Sequence, residues 1–340
     1  MAEADATLIA TRDGAVGRLL MNRPRALNAL DLAMIDGMAA AIAAWREDPS
    51  LRLVLLEGAG GRAFCAGGDV RRVREQVLAG DHAAVEAFFS HEYGVNGGIA
   101  AFPRPWVSLI DGVCMGGGIG VAVHGSHRIV TEHAMLAMPE TAIALFPDVG
   151  TSYVLPRLAG GLGRWLALTG ARLNGAEAVE AGLATHFVPR ERLEALRAAL
   201  LAEGDAKVVE RFAEPVAPGR IAALRPAIDR CFAHDTRAAI ESALRKEDSD
   251  KESSDKEGSG WAREQLAILE HVSPTSVAVT LELLRRGATL PLPACLEMEL
   301  SLTRGVTRHP DFAEGVRAVL VDKDNAPRWQ PAADPVSLFG

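Results

Sequence analysis

Two glycine-rich stretches and one pair of acids are the residues of this sequence best suited to chemistry. The first stretch is Ala63-Phe64-Cys65-Ala66-Gly67-Gly68-Asp69 and the second is Gly116-Gly117-Gly118-Ile119-Gly120. Small residues let a backbone approach a ligand closely and leave N–H groups to meet negative charge. Each stretch follows an apolar run of strand character and precedes a helical pattern, so each can supply one N–H to a shared anion site, as in an oxyanion hole. The acids are Glu140 and Asp148 in Met138-Pro139-Glu140-Thr141-Ala142-Ile143-Ala144-Leu145-Phe146-Pro147-Asp148-Val149-Gly150, each directly after a proline in an otherwise apolar stretch. A carboxylate among apolar neighbours suits proton transfer or nucleophilic attack. Two plainer readings stand beside this one. Glycine clusters also serve tight packing, and each acid could cap a helix or pair with an arginine such as Arg157.

Other chemistries have weaker support. GGGIG lacks the GxGxxG spacing of a dinucleotide site, and Glu132 lies 12 residues beyond Gly120 where the rule asks for about 20. Cys65 has no histidine near it in sequence and reads as a small buried hydrophobe. His124, His127 and His133 have no accompanying carboxylate cluster, so no metal site is expected. No GxSxG surrounds Ser108, Ser126 or Ser152.

The elements that must position these residues follow from periodicity. Thr7 to Met21 reads as a β-hairpin turning at Asp13-Gly14. Asp31 should cap a helix with Leu32, Ile35, Met38, Ile42 and Trp45 on one face. Leu51 to Leu56 and Trp106 to Ile110 read as strands buried on both sides, with Arg128 to Val130 beginning a third. Val70 should open a helix. Parallel strands with crossover helices are the economical arrangement, and beyond about Arg190 helical spacing takes over. This divides the chain into a core over residues 1–190 and a helical region over 191–340. The segment KEDSDKESSDKE, 246–257, has no apolar side chain and is expected to be a mobile loop.

The 340 residues are 49% hydrophobic and 24% charged, which rules out wholesale disorder. A net charge of -8 argues against a nucleic-acid or anionic-membrane surface. No apolar run approaches the roughly 18 residues of a membrane helix. Four cysteines without a CxxC pair suit reduced thiols, and with no basic, apolar start to the chain the expectation is a soluble, cytoplasmic protein.

Taken together, the stretches resemble the crotonase, or enoyl-CoA hydratase/isomerase, superfamily. NRPRALNAL (22–30), AFCAGGD (63–69), IDGVCMGGGIG (110–120), MPETAIALFPDVG (138–150) and LALTGARLNGAEAVEAGLATHFV (166–188) run in the family's order. HVSPTS (271–276), EMELSLT (297–303) and HPDFAEGVRAVLVDKDNAPRW (309–329) extend the likeness toward the branch that hydrolyses short 3-hydroxyacyl-CoA thioesters. The resemblance implies an α/β crotonase (ClpP/crotonase-like) fold of repeated ββα units with a helical C-terminal region. It implies the backbone N–H groups of Gly68 and Gly117 as oxyanion hole, and Glu140 as main catalytic carboxylate with Asp148 as its partner. Glu92, in HEYGVN, would contact substrate. Gly68, Asp69, Val70 and Arg71 would run along coenzyme A, with Arg25 and Arg71 toward its phosphates.

Family hydratases carry a glutamate where this chain has Gly120, which disfavours hydration and leaves hydrolysis. The expected reaction is release of 3-hydroxyisobutyrate and CoA in valine breakdown, with 3-hydroxypropionyl-CoA as a second substrate and no cofactor or metal. An enoyl-CoA hydratase or isomerase, and a noncatalytic acyl-CoA-binding module, are the alternatives. For assembly, a homo-oligomer through the C-terminal helices and coverage of that surface by the extended C-terminal part both stay open.

Overall fold

A computed structural model describes residues 6–252 and 260–339. Its contacts divide it into two compact units. One holds the chain up to Asp69, Ser90–Ala137 and Arg172–Gly219; the other holds Val70–Phe89, Met138–Ala171 and the chain from Arg220.

The first unit is built on two sheets. β1 (Leu8–Asp13) and β2 (Val16–Met21) form the expected antiparallel hairpin, closed at Gly14, whose φ of +53° suits the tight turn. The strands that follow alternate between sheets. β3 (Leu53–Gly58), β5 (Trp106–Ile110), β7 (His127–Val130) and β10 (His186–Phe187) extend the hairpin in parallel, in the order β1-β2-β3-β5-β7-β10. β4 (Ala63–Cys65), β6 (Val113–Met115), β8 (Met135–Ala137) and β9 (Leu173–Asn174) make the second sheet in that order. A strand in one sheet, a strand in the other and then a helix is the repeated ββα unit of the crotonase fold.

Burial explains the sequence pattern. Leu53 to Leu56 are fully buried because both faces of a parallel sheet are covered. Val16, Leu53, Leu55, Val107, Leu109 and Ile129 form one core with Leu193, Leu196 and Leu200 of a later helix.

Helices complete the chain: α1 (Leu32–Arg46), α2 (Val70–Leu78), α3 (His82–Ala100), α4 (Gly117–Val123), α5 (Thr151–Val154), α6 (Leu162–Thr169), α7 (Gly175–Ala181) and α8 (Arg190–Glu203). From there the chain is helical, as expected, with α9 (Arg220–Cys231), α10 (Arg237–Glu252), α11 (Trp261–His271), α12 (Pro274–Gly287), α13 (Leu292–Arg308) and α14 (Pro310–Val316). Asp31 caps α1 by accepting the Met34 N–H at 2.8 Å. Leu32, counted in its apolar stripe, is instead exposed; it sits at the helix's first position, and Met34 is buried in its place. No helix among the described residues is long and apolar enough to cross a membrane.

The expected mobile loop at 246–257 is corrected in its first part, since residues 246–252 continue α10. Ion pairs replace the missing apolar contacts: Glu247, 8% exposed, takes the Arg230 guanidinium at 2.9 Å, and Asp248 takes Arg263 at 3.1 Å. Ile240 and Leu244 anchor the preceding turns in the core. Residues 253–257 lie outside the described residues.

Candidate active site

In the first unit the two glycine junctions meet. Beyond β4 the chain is stitched to the loop before α1 by three backbone bonds: Ala66 N–H to Leu27 O at 3.0 Å, Leu30 N–H to Gly67 O at 2.8 Å and Asp69 N–H to Leu30 O at 2.8 Å. Asn28, fully buried at φ +57°, donates to Ala59 O and Ala63 O, both at 2.9 Å, and so fixes that loop from beneath. Arg23 closes it from the side through Asp31 at 3.2 Å and Asp69 at 3.1 Å.

Gly67 has φ +107°, and a Cβ there would stand 3.2 Å from Met115 O and 3.7 Å from Gly117 N. Here glycine is required by both conformation and approach. Gly116 turns the second junction with φ +48°, and α4 starts at Gly117, whose N–H belongs to the first helical turn and so has no partner within the helix. The helix thus begins inside the glycine run, earlier than its apolar residues suggest. Close packing is the reason: a Cβ on Gly118 would overlap the backbone of Cys65.

A Cβ on Gly117 would overlap Glu92 Oε1 and stand 3.1 Å from Gly68 N and 3.2 Å from Leu30 Cδ1. Gly68, Gly117 and the buried Glu92 carboxylate of α3, 2% exposed, therefore converge within a few ångströms. Asp69 is half-buried in its pair with Arg23, and Arg25 is exposed on the short turn Pro24–Ala26.

In the second unit, Val70 and Arg71 open α2, with Arg71 exposed. Glu140, 6% exposed, is the first residue of a 3-10 turn, Glu140–Ile143. That turn is fixed from three sides. Ser273 N–H donates to Thr141 O at 3.1 Å, Thr141 Oγ1 donates to Leu168 O at 3.2 Å, and Ser276 Oγ donates to Leu145 O. Ala144, at φ +54°, closes it.

Asp148, 4% exposed, begins the next turn, where its carbonyl accepts the Thr151 N–H at 2.8 Å. Arg157, the arginine that sequence offered as partner for these acids, instead donates to Tyr153 O, Gly287 O and Leu290 O and lies 3.7 Å over the Tyr153 ring.

Sequence reasoning missed Glu299. This carboxylate on α13 is fully buried and accepts the Gly150 N–H at 2.7 Å and the Ser152 N–H at 3.1 Å. Its signal was an acid standing in the apolar stripe Cys295, Glu299, Leu302, Val306.

Cys65 is a packing residue: it is fully buried, and burial pushes its thiol up to about 12. His127 stacks on His186 with ring centroids 5.7 Å apart and meets Ser126 Oγ at 2.9 Å. Among the described residues, no group of three or more His, Cys, Asp or Glu is placed to hold a metal ion.

The chain is 43% identical over 338 residues to the 3-hydroxyisobutyryl-CoA hydrolase, mitochondrial, of Rattus norvegicus, covering 96% of this chain and 85% of that protein. It is 42% identical to the Homo sapiens protein of the same name over 341 residues, covering 97% and 86%. Among solved structures it superimposes on a carnitinyl-CoA dehydratase from Mycobacterium thermoresistibile with a TM-score of 0.90 at 38% identity, covering 99% of this chain and 97% of that one. An enoyl-CoA hydratase from Rhodobacter sphaeroides 2.4.1 gives a TM-score of 0.85 at 41% identity, covering 97% and 94%.

The cytoplasmic expectation is corrected by these curated relatives, which are named as mitochondrial proteins. Buried thiols suit any reducing compartment and do not single out the cytoplasm. Residues 16–335 match the profile of the enoyl-CoA hydratase/isomerase family, and with relatives above 40% identity matched over 85% and 86% of their length the chain belongs to that family.

Proposed function

We propose that this chain is a thioester hydrolase that converts 3-hydroxyisobutyryl-CoA to 3-hydroxyisobutyrate and CoA, a step of valine breakdown. The observation that carries the reading is the convergence of Gly68, Gly117 and Glu92, in a chain similar over nearly its whole length to curated hydrolases of that substrate. Two of its structural relatives bear the names of a dehydratase and a hydratase. Gly120 favours the hydrolase: adding water across a double bond asks for a second carboxylate, and this buried position on α4 has no side chain to offer one.

In the proposed reaction the thioester carbonyl oxygen takes hydrogen bonds from the N–H groups of Gly68 and Gly117. Donors set in advance where charge develops are worth about 10² to 10³ in rate each. The Glu140 carboxylate attacks the carbonyl carbon, and the tetrahedral oxyanion collapses by breaking the C–S bond. The CoA thiolate leaves, takes a proton from solvent, and a mixed anhydride remains on Glu140. Water then cleaves the anhydride and restores the carboxylate. Asp148 handles the protons of this second step.

No cofactor is required, since coenzyme A arrives as part of the substrate and water is the co-reactant. Asp69, Val70 and Arg71 line the coenzyme's path in this reading. Exposed Arg25 and Arg71 meet its phosphates, where a guanidinium is well matched. Glu92 reads the hydroxyl of the acyl group.

The test is product analysis. Equal amounts of free CoA and 3-hydroxyisobutyrate should appear, and isobutyryl-CoA, which lacks the hydroxyl, should be cleaved about 10⁴-fold less efficiently. 3-Hydroxypropionyl-CoA, one methyl smaller, should lose only about 10- to 200-fold. Equal cleavage of isobutyryl-CoA would remove the role given to Glu92, and absence of free CoA would remove the hydrolase.

A further inference from the structure

The turn that follows Asp148 is strained, and a buried acid from a distant helix holds it. Val149 has φ +53°, in the left-handed region that a β-branched side chain adopts only at a cost, and Gly150 follows at φ +80°. Such strain persists only where the surroundings over-determine it. Among those surroundings is Glu299. Gly150 sits at the N-cap of α5 and has no side chain with which to accept the helix's first N–H groups. Glu299 supplies that acceptor from α13, 149 residues away in sequence, with Oε2 on the Gly150 N–H at 2.7 Å and Oε1 on the Ser152 N–H at 3.1 Å. The Asp148 carbonyl takes the next donor, Thr151 N–H, at 2.8 Å. The fold therefore anchors both sides of the strained residue, with Asp148 on one side and the Glu299-held peptide on the other.

We propose that Glu299 is a positioning residue for the reaction, holding the strained Val149-Gly150 turn and through it the carboxylate of Asp148. This rests on the role given to Asp148 above and adds a requirement that none of the glycine junctions meets. The location of the acid supports it. A fully buried carboxyl is costly to keep in a protein interior, and an apolar residue would fill the same stripe of α13, so its presence there fits a task that two accepting oxygens perform. Burial, opposed by the Ser152 hydroxyl and the Gly150 and Ser152 N–H groups and reinforced by the Asp148 charge, pushes the Glu299 carboxyl up to about 8.

The experiment is a double-substitution cycle on thiol release from 3-hydroxyisobutyryl-CoA, using Glu299→Gln, Asp148→Asn and the pair. The amide of Glu299→Gln keeps one acceptor and turns a donor toward the other N–H. It should lower kcat by about 10- to 100-fold and leave KM within about twofold, with the protein still folded by its thermal transition. Because Glu299 acts through Asp148, adding Glu299→Gln to Asp148→Asn should slow the enzyme no further, whereas independent structural damage would multiply the two losses. Glu299→Asp, which keeps the carboxyl group but withdraws it by one methylene, carries the same cycle if the glutamine variant does not fold. Unchanged kcat in a folded Glu299 variant, or multiplied losses in the pair, overturns the proposal. Full activity in Asp148→Asn overturns instead the catalytic reading on which it rests.

Discussion

Glu92 Oε1 occupies the place that a side chain at Gly117 would need. The carboxylate and the glycine are 25 residues apart, yet the fold sets them against each other with Gly68 N beside both, 3.1 Å from that same position. Gly117→Ala should therefore do more than crowd a helix start. Its methyl displaces either the Glu92 carboxylate or the Gly68 peptide, whose N–H is the donor, and loss of that donor lowers kcat by about 10² to 10³. Thiol-release kinetics on the folded variant check this, and an unchanged kcat would show that these groups do not form the anion site.

The covalent route predicts an intermediate that can be caught. With hydroxylamine present, the mixed anhydride on Glu140 should be intercepted as a hydroxamate at a rate set by the enzyme. The Glu140→Gln protein should give only the slow background reaction of hydroxylamine with the thioester. Hydroxamate formation equal in the two proteins would favour direct attack by water.

Thiol chemistry should be silent. Cys65, Cys114, Cys231 and Cys295 are all buried, and burial holds the Cys65 and Cys114 thiols well above their ordinary range. A disulfide reagent should label none of the four in the native protein and all of them after denaturation, and Cys65→Ala should keep most of its activity. Rapid native labelling that kills activity would reopen the nucleophile role that the sequence argues against.

Glu299 also sets a pH dependence of stability. In the unfolded chain a glutamate titrates near 4.5, so between there and about 8 the folded protein holds a proton that the unfolded chain has released. The stability this group contributes is fully present below 4.5 and is lost as pH rises through about 8, at up to about 1.4 kcal/mol per pH unit. The melting temperature of the native protein should fall across that window more steeply than that of Glu299→Gln. Parallel curves would place the titration elsewhere.

What could be read from the sequence was local. The hairpin, the Asp31 cap and the glycine turns are written in consecutive residues, because turn chemistry and capping act over two to four positions. The burial of Leu53 to Leu56 was legible for a similar reason, as an unbroken apolar run. Glu299 was not, since its partners at Gly150 and Ser152 lie about 150 residues away and nothing in EMELSLT says which carbonyls or amides it will meet. The continuation of α10 through 246–252 was hidden likewise, because its support comes from Arg230 and Arg263 on other helices. Glu140 and Asp148 were found as acids among apolar residues, but the bonds from Ser273 and Ser276 that fix the Glu140 turn had no sequence signal.

Free thiol from 3-hydroxyisobutyryl-CoA and loss of the double bond of crotonyl-CoA, followed in parallel with Glu140→Gln as control, separate a hydrolase from a hydratase. Thiol release should be rapid and abolished by the substitution, with little hydration of crotonyl-CoA. Efficient hydration of crotonyl-CoA with no thiol released from the hydroxyacyl ester would make the protein a hydratase and not a hydrolase.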